Sequence, residues 1–124
     1  ASSAVDTDFT ARLCVVSQEG KSTNIQEGIV RARYRESLSN PSPITPEEVY
    51  NYHIDLGPLA VRVPAGNSIR LNISSSDFPQ WDRNLNTGGP AGFEGALTMK
   101  TATQTLLHTE SYPSHLSLPV VLHG

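Results

Sequence analysis

Hydrophobic and polar residues alternate along several segments of this chain. Between Phe9 and Val16 every second position is hydrophobic, with Phe9, Ala11 and Leu13 on one side of the predicted strand. A period of two is typical of a β-strand that buries one face. The same pattern recurs at 29–34, 50–56 and 69–73, and β-branched stretches at 97–107 and 115–122 bring the prediction to at least six strands.

Turn signals separate these segments. Glu19-Gly20-Lys21 predicts a turn directly after the first strand. Residues 45–48 read Thr-Pro-Glu-Glu, which is a helix-start pattern, but an alternating segment follows at once, so we expect at most one turn there. Several strands separated by glycine and proline turns, with little helical period, predict an all-β fold in the form of an antiparallel sandwich.

The composition narrows the class of protein. The chain has 124 residues, with 9 lysines and arginines against 12 acidic residues and a net charge of −3. This length predicts a single domain, 1–124, and the acidic balance argues against a nucleic-acid partner. The one cysteine, Cys14, excludes an internal disulfide and a multi-cysteine zinc site. We expect no signal peptide and no membrane partner, because no basic start or long apolar run is present. We expect a cytoplasmic location, with which a free Cys14 is compatible.

The segment from Ser74 to Gly95 departs from the alternating pattern. It has no strand period and is rich in serine, asparagine, glycine and proline. A loop this long in a compact domain is usually either functional or disordered. Phe78 and Trp81 favour an ordered loop, because aromatic side chains anchor a backbone when they are buried. We predict that the loop forms an interface or ligand site through Asp77, Phe78, Trp81, Asp82, Arg83, Asn84 and Asn86.

Motifs that carry catalysis are absent from the sequence. It contains no Gly-x-Ser-x-Gly turn, no phosphate-binding glycine loop and no His-Glu-x-x-His pair. The glycine-rich residues 88–92 lack the lysine of a phosphate loop and predict a flexible turn. Asp77 and Asp82 supply oxygen ligands that suit calcium, but their order is not that of an EF-hand. We therefore expect no catalytic residue, no metal and no cofactor. The histidines also lack the spacing of metal ligands: His53, His108, His115 and His123.

Trp81 leaves two interpretations open. An exposed indole, together with Phe78, is typical of a module that stacks on a sugar or a base. The alternative is that both aromatic side chains dock the loop onto its own domain or onto a neighbouring one. The second interpretation is favoured, because an aromatic residue in a proline-containing loop commonly acts as an anchor.

Motifs that follow one another along nearly the whole chain resemble a known domain. They read DTDFTARL at 6–13, GIVRARYRES at 28–37, SSSDFP at 74–79 with DRNLNTGG at 82–89, and PSHLSLPV at 113–120. Together they are similar to the C-terminal, non-catalytic domain of the cocaine esterase, X-prolyl dipeptidyl-peptidase and glutaryl acylase hydrolases. The resemblance implies a jelly-roll β-sandwich, similar to galactose-binding domains, appended to an α/β-hydrolase catalytic domain.

The same resemblance implies a function without catalysis in this chain. In that family the Ser-His-Asp triad lies in the hydrolase domain, so no triad residue is carried over onto these positions. The implied role is an accessory domain that braces a serine hydrolase of esters, amides or X-prolyl peptides and shapes its substrate entrance. The loop 74–89 would face the catalytic domain. A free-standing carbohydrate or small-ligand binding module and a purely structural protein remain as alternatives.

The chain departs from the family pattern at two places. Residues 56–67 are looser than usual, where an aromatic residue and a Gly-His pair are more typical. Ala1-Ser2-Ser3 resembles the end of a strand that family members enter from upstream, so we expect an N-terminally truncated jelly roll that lacks its first strands. A sandwich without those strands exposes backbone groups and apolar surface. We therefore expect the isolated chain to form a homo-oligomer.

Overall fold

A computed structural model describes residues 1–90 and 94–122 of the chain. Three antiparallel strands form one sheet in the order β2-β1-β3: β1 (Asp8–Val16), β2 (Ser22–Arg31) and β3 (Ser68–Ser74). In the described residues, the helical elements are two short 3-10 helices, Ala32–Tyr34 and Ala96–Thr98. The all-β, antiparallel class is confirmed, whereas the jelly-roll arrangement requires more strands than these three and stays a prediction.

β1 lies at the centre of the sheet, because it pairs with β2 on one side and with β3 on the other. Its hydrophobic residues Phe9, Ala11 and Leu13 share one face and are buried. A continuous register of seven residue pairs joins β1 to β3, whereas the pairing with β2 shifts between Leu13 and Cys14. The predicted turn after β1 is confirmed, and Gly20 there has a φ of 86°, which favours glycine.

An extended segment, residues 50–56, covers the apolar face of the sheet. The Tyr52 ring packs 4.8 Å from the Phe9 ring, centroid to centroid. Gly28 of β2 allows this close approach, since a Cβ atom there would lie 2.6 Å from the carbonyl oxygen of Asp55. The predicted strand at 50–56 is wrong, because the segment has no ladder partner among the described residues. An alternating pattern indicates only that one side of a segment is buried. An extended segment that packs on a sheet without pairing shows the same pattern.

The predicted strands also differ from the observed structure in three other places. The alternation at 29–34 ends early, because the Ala32 N–H donates to the Thr7 carbonyl at 2.9 Å and the chain turns into a 3-10 helix. The strands predicted at 97–107 and 115–122 are wrong, since these residues lack a continuous ladder partner in the described part of the chain. Gln104 of the first range forms an isolated antiparallel bridge with Ser2, and a second isolated bridge, His108 with Pro113, lies between the two ranges.

Residues 45–48 form a single turn, as predicted. The Glu48 N–H donates to the Thr45 carbonyl at 3.2 Å. Glu47 has a φ of 66° and follows Pro46. A proline followed by a residue of positive φ is the signature of a type II turn, so the chain does not enter a helix here.

Three other features of the sequence bear on the described residues. Gly88, in the glycine-rich stretch, has a φ of 79°, as a turn requires. Ala91 and Gly92 of that stretch and His123 lie outside the described residues. Within 1–90 and 94–122, no helix has the length and apolar character needed to cross a bilayer.

Candidate functional site

The loop that follows β3 begins on the polar face of the sheet. Asp77 accepts a hydrogen bond from Nη2 of Arg12, a β1 residue. The Nε atom of Arg12 also donates to Oε1 of Glu27 on β2 at 3.0 Å. Arg12 therefore lies between two carboxylates and ties the start of the loop to β1 and β2.

A buried cluster of charged groups holds the middle of the loop. Asn84 Nδ2 donates to Asp6 Oδ2 at 2.9 Å and to Asp8 Oδ1 at 2.8 Å. The Asp6 and Asp8 side chains are only 1% and 2% exposed. Each of these carboxylates also contacts an arginine at the end of β2: Asp8 contacts Arg31, the last residue of the strand, and Asp6 contacts Arg33, two residues further on. We call this cluster the carboxylate clamp: Asp6, Asp8, Arg31, Arg33 and Asn84.

The two arginines of the clamp connect the carboxylates to the loop. Arg33 Nε donates to Asp6 Oδ2 at 2.7 Å, and its Nη2 donates to the Gly89 carbonyl at 2.8 Å. Arg31 Nη1 lies 3.3 Å from Asp8 Oδ2, and its Nη2 lies 3.1 Å from Asp82 Oδ1. Each guanidinium thus bridges a buried carboxylate and a loop residue, which is geometry that the planar fork of arginine allows.

Burial raises the pKa of Asp8 above its ordinary value, because the charged form loses its water. The hydrogen bond from Asn84 and the charge of Arg31 act in the opposite direction and lower it. The negative charges of Asp6 and Asp82 raise it further. The two carboxylates of the clamp and that of Asp82 in the loop therefore share two arginines and one amide.

The outer side of the loop presents a cation and aromatic rings. Phe78 is 56% exposed, and the Arg83 guanidinium carbon lies 4.3 Å from the centre of its ring. This cation–π contact keeps both side chains at the surface. Trp81 is half-buried beside an open cleft of about 240 Å³, which it lines together with Gln80 and residues 24–27 of β2.

The structure separates the seven predicted loop residues into distinct groups. Asn84 belongs to the clamp, and Asp82 contacts the clamp residue Arg31. Asp77 contacts Arg12, and Phe78 contacts Arg83. Asn86 supports the backbone: its N–H donates to Asn84 Oδ1 at 2.9 Å and its Nδ2 donates to the Lys100 carbonyl at 2.9 Å. Trp81 lies apart from these contacts, at the cleft.

The aspartates of the loop do not converge on a cation site. Asp77 and Asp82 are each paired with a different arginine, Arg12 and Arg31. Among the residues that the structure describes, no group of three or more His, Cys, Asp or Glu side chains could hold a metal ion. The oxygen atoms of the loop therefore serve ion pairs and hydrogen bonds to the sheet.

Sequence reasoning placed Asp6, Asp8, Arg31 and Arg33 in family motifs but did not assign them to the site. One signal was available: the Asp-x-Asp pair at 6 and 8, which ends on the first residue of β1, and the Arg-x-Arg pair at 31 and 33, which begins on the last residue of β2, each repeat a charge at a spacing of two. In a hairpin that spacing places both charges on one face. Opposite charges that alternate in this way on paired strands predict an ion-pair row.

Comparisons with known proteins agree on a single family. A family model for the X-Pro dipeptidyl-peptidase C-terminal non-catalytic domain matches residues 1–117. The cocaine esterase of Rhodococcus sp. (strain MB1 Bresler) is 43% identical over 120 residues, which cover 97% of this chain and 21% of the esterase.

Solved structures show the same relationship. An aminopeptidase from the marine sediment archaeon Thaumarchaeota archaeon superposes with a TM-score of 0.85 at 28% identity, covering 91% of this chain and 20% of that protein. An α-amino acid ester hydrolase superposes with a TM-score of 0.71 at 26% identity, covering 82% and 18%. The chain thus spans about a fifth of the length of these relatives.

Proposed function

The chain belongs to the family of X-Pro dipeptidyl-peptidase C-terminal non-catalytic domains, and we propose that it braces the catalytic domain of an α/β serine hydrolase and shapes its substrate entrance. The relatives named above are an esterase, an aminopeptidase and an ester hydrolase, each about five times as long as this chain. Their names support a parent reaction in which an acyl group passes from an ester or amide to water. The nucleophile would come from outside this chain.

One observation carries the proposal: the loop is anchored on its inner side and exposed on its outer side. The clamp fixes the backbone at Asn84 and Gly89 through groups that are buried. On the outer side, Phe78 and Arg83 remain at the surface although they contact each other. Aromatic and arginine side chains held in a fixed position are the usual anchors of protein interfaces. A rigid loop with such a tip is suited to contact a second domain.

A chimera tests this role. This chain replaces the matching 120 residues of the Rhodococcus cocaine esterase, and hydrolysis of a chromogenic ester is measured together with the melting temperature. We expect the chimera to be active, and we expect Phe78→Ala to raise KM or lower the melting temperature because a contact with the catalytic domain is lost. Tyr112→Ala serves as the matched control, since Tyr112 is similarly exposed, at 50%, but lies outside the loop.

Two results would contradict the proposal. The first is a chimera in which Phe78→Ala and Tyr112→Ala behave alike, because the tip of the loop would then contact nothing. The second is saturable hydrolysis of the ester by the 124-residue chain alone, since an accessory domain supplies no nucleophile.

A second candidate function rests on the cleft beside Trp81. We propose as the alternative that this cleft binds a neutral carbohydrate, because Trp81 and the polar residues Asn24, Glu27 and Gln80 line the same cleft of about 240 Å³. Rings stack on sugars while such polar groups bond to hydroxyls. Trp81 is the only tryptophan, so its fluorescence reports binding directly. Titration with a panel of neutral monosaccharides should quench it in a saturable way, and a flat response to the whole panel would reject this alternative.

We also propose a cytoplasmic location for the protein. Its support is limited to Cys14, a single free thiol that is buried in β1 and needs no oxidising compartment. Fractionation of the source cells followed by immunoblotting tests the location. Recovery of the protein outside the cytoplasmic fraction would contradict it.

A further inference from the structure

Two buried polar atoms of the interior have no hydrogen-bond partner among the described residues. They are the hydroxyl oxygen of Tyr52 and Nε of Arg35. Buried polar groups in proteins are nearly always hydrogen-bonded, because a group that has lost its water and gained no partner destabilises the fold. A third atom of this kind, Oε1 of Gln104, belongs to an amide that already bonds to Thr7 through Nε2. The first two atoms belong to side chains that lie near each other.

Arg35 and Tyr52 are both packed around the ring of Tyr50. The guanidinium carbon of Arg35 lies 4.4 Å from the centre of that ring, and the ring of Tyr52 lies 6.3 Å from it, centroid to centroid. Burial raises the pKa of Tyr52, and the positive charge of Arg35 acts on the same hydroxyl in the opposite direction. Such an effect of a charge is strongest at short range. The two unpartnered atoms therefore lie in the same part of the interior.

Neither side chain is free to turn toward a different partner. Nη1 of Arg35 donates to the carbonyl oxygens of Ala32 at 3.0 Å and of Ser42 at 2.8 Å, and the side chain is only 8% exposed. Rotation of the guanidinium would break both bonds. Tyr52 is held by its ring, which packs 4.8 Å from the ring of Phe9. A partner for the two atoms must therefore come to them.

The chemistry of the two atoms limits what this partner can be. Nε of an arginine is only a donor, whereas a tyrosine hydroxyl both donates and accepts. A cation is excluded, because Nε offers it no lone pair. An anion would have to give up its hydration in a space that is closed to solvent. A water molecule accepts from the first atom and bonds to the second, as buried waters commonly do for polar groups that lack a protein partner.

We propose that one buried water molecule accepts a hydrogen bond from Nε of Arg35 and forms another with the hydroxyl of Tyr52. This water connects segment 50–56, which covers the sheet, to the backbone that Arg35 holds at Ala32 and Ser42. Residues of this chain bury both atoms, so the site is part of the interior and not a surface that a further domain could cover. It does not depend on the proposed function.

NMR of the nitrogen-labelled chain detects the water directly. A water held in the interior should give a cross-peak with the Nε–H proton of Arg35, and comparison of NOE and rotating-frame spectra separates dipolar transfer from proton exchange. Tyr52→Phe keeps the ring and removes the hydroxyl, so it should abolish this cross-peak. Tyr50→Phe is the matched control. It also keeps its ring, and its hydroxyl bonds to Thr45 and Glu48 at exposed positions, so the cross-peak should persist.

The stability of Tyr52→Phe gives a second readout whose sign is decisive. A hydroxyl that bonds to a buried water contributes to stability, so its removal should raise the unfolding equilibrium constant about fivefold. If the hydroxyl had no partner, its removal would leave that constant unchanged or lower it, because an unsatisfied buried group would be gone.

The proposal is supported by a water cross-peak at Arg35 that is present in the parent chain and in Tyr50→Phe and is lost in Tyr52→Phe, together with the loss of stability. It is overturned if the parent chain gives no such cross-peak. In that case a loss of stability in Tyr52→Phe would indicate a direct hydrogen bond between Arg35 and Tyr52. It is also overturned if the cross-peak persists in Tyr52→Phe, or if that variant is as stable as the parent chain or more stable.

Discussion

Replacing Asn84 by alanine tests whether the carboxylate clamp holds the loop. The amide of Asn84 donates to two buried carboxylates, at 2.9 and 2.8 Å, and its oxygen accepts the N–H of Asn86 at 2.9 Å. A hydrogen bond to a charged group contributes about 1.5–3 kcal/mol, but Asp6 and Asp8 each keep an arginine partner after the change. We therefore expect Asn84→Ala to lower the free energy of unfolding by about 2–4 kcal/mol.

Urea unfolding followed by two signals measures this loss. Far-UV circular dichroism reports the sheet, and the fluorescence of Trp81 reports the loop. Asn40→Ala is the matched control, because Asn40 is exposed and its side chain makes no hydrogen bond to any residue that the structure describes. Its effect should stay within about 0.5 kcal/mol. If Asn84→Ala falls within the same range as the control, the clamp does not hold the loop and the reasoning is refuted.

The pKa of Asp8 gives an independent test of the same contacts. The native pKa of Asp8 is raised, so the folded chain binds this proton more tightly than the unfolded chain does. Asp8 therefore reduces stability as the pH rises from about 3.8 through its native pKa, and its cost is fully present above that value. Asn84→Ala removes a hydrogen bond that lowers the pKa, so it should raise the pKa further. The difference in the free energy of unfolding between Asn84→Ala and the unsubstituted chain should then shrink as the pH falls through this window.

Asp82→Asn should move the same pKa in the opposite direction. The charge of Asp82 raises the pKa of Asp8, and its removal also frees the Arg31 Nη2 group that it occupies at 3.1 Å. Carbon-detected NMR titration of the Asp8 carboxyl group measures the shift. Asp77→Asn is the control, because Asp77 pairs with Arg12 and not with Arg31. An unchanged Asp8 pKa in Asp82→Asn would contradict the competition for Arg31.

Two further substitutions test the packing and the backbone. Gly28→Ala should lower the free energy of unfolding by about 1–3 kcal/mol, because its Cβ would lie 2.6 Å from the Asp55 carbonyl oxygen. Chemical denaturation measures this loss. Gly95→Ala should have little effect, since its Cβ would meet no atom of the described residues within 4 Å. Glu47→Gly should raise the melting temperature, since φ is 66° at this position of the type II turn and relief of that strain is worth about 1 kcal/mol. A lower melting temperature would contradict the assignment of the turn.

The alternation of hydrophobic residues predicted β1 and β3 well, because both strands have a ladder partner within the chain. Segment 50–56 shows the limit of the same signal. It alternates because one side is buried against the sheet, through Tyr52 on Phe9, yet it joins no ladder. Burial and hydrogen-bond pairing coincide in most strands, but the pattern of residues records only the burial.

The candidate site was likewise predicted only in part from the sequence. Its loop was predicted from composition and motif, since a long segment without period is uncommon in a compact domain and Phe78 and Trp81 favour its being ordered. The clamp that fixes the loop was not predicted, because an aspartate in isolation is most simply interpreted as solvated. Asp6 becomes a buried acceptor only through partners that lie 27 and 78 residues away in the sequence. Such long-range partners are set by the topology of the sheet and not by local pattern.

The position of the clamp means that the stability of the domain and the shape of the loop depend on the same residues. Asp8 and Arg31 belong to the hairpin of β1 and β2, and Asp6 lies just before it. Asn84 extends their network into the loop. A substitution in the clamp should therefore impair both folding and any contact made by the loop tip. A substitution at Phe78, which is 56% exposed, should impair only the contact. If Phe78→Ala lowered the stability of the isolated chain as much as Asn84→Ala does, the tip would be part of the core, and the loop would have no surface left to offer a catalytic domain.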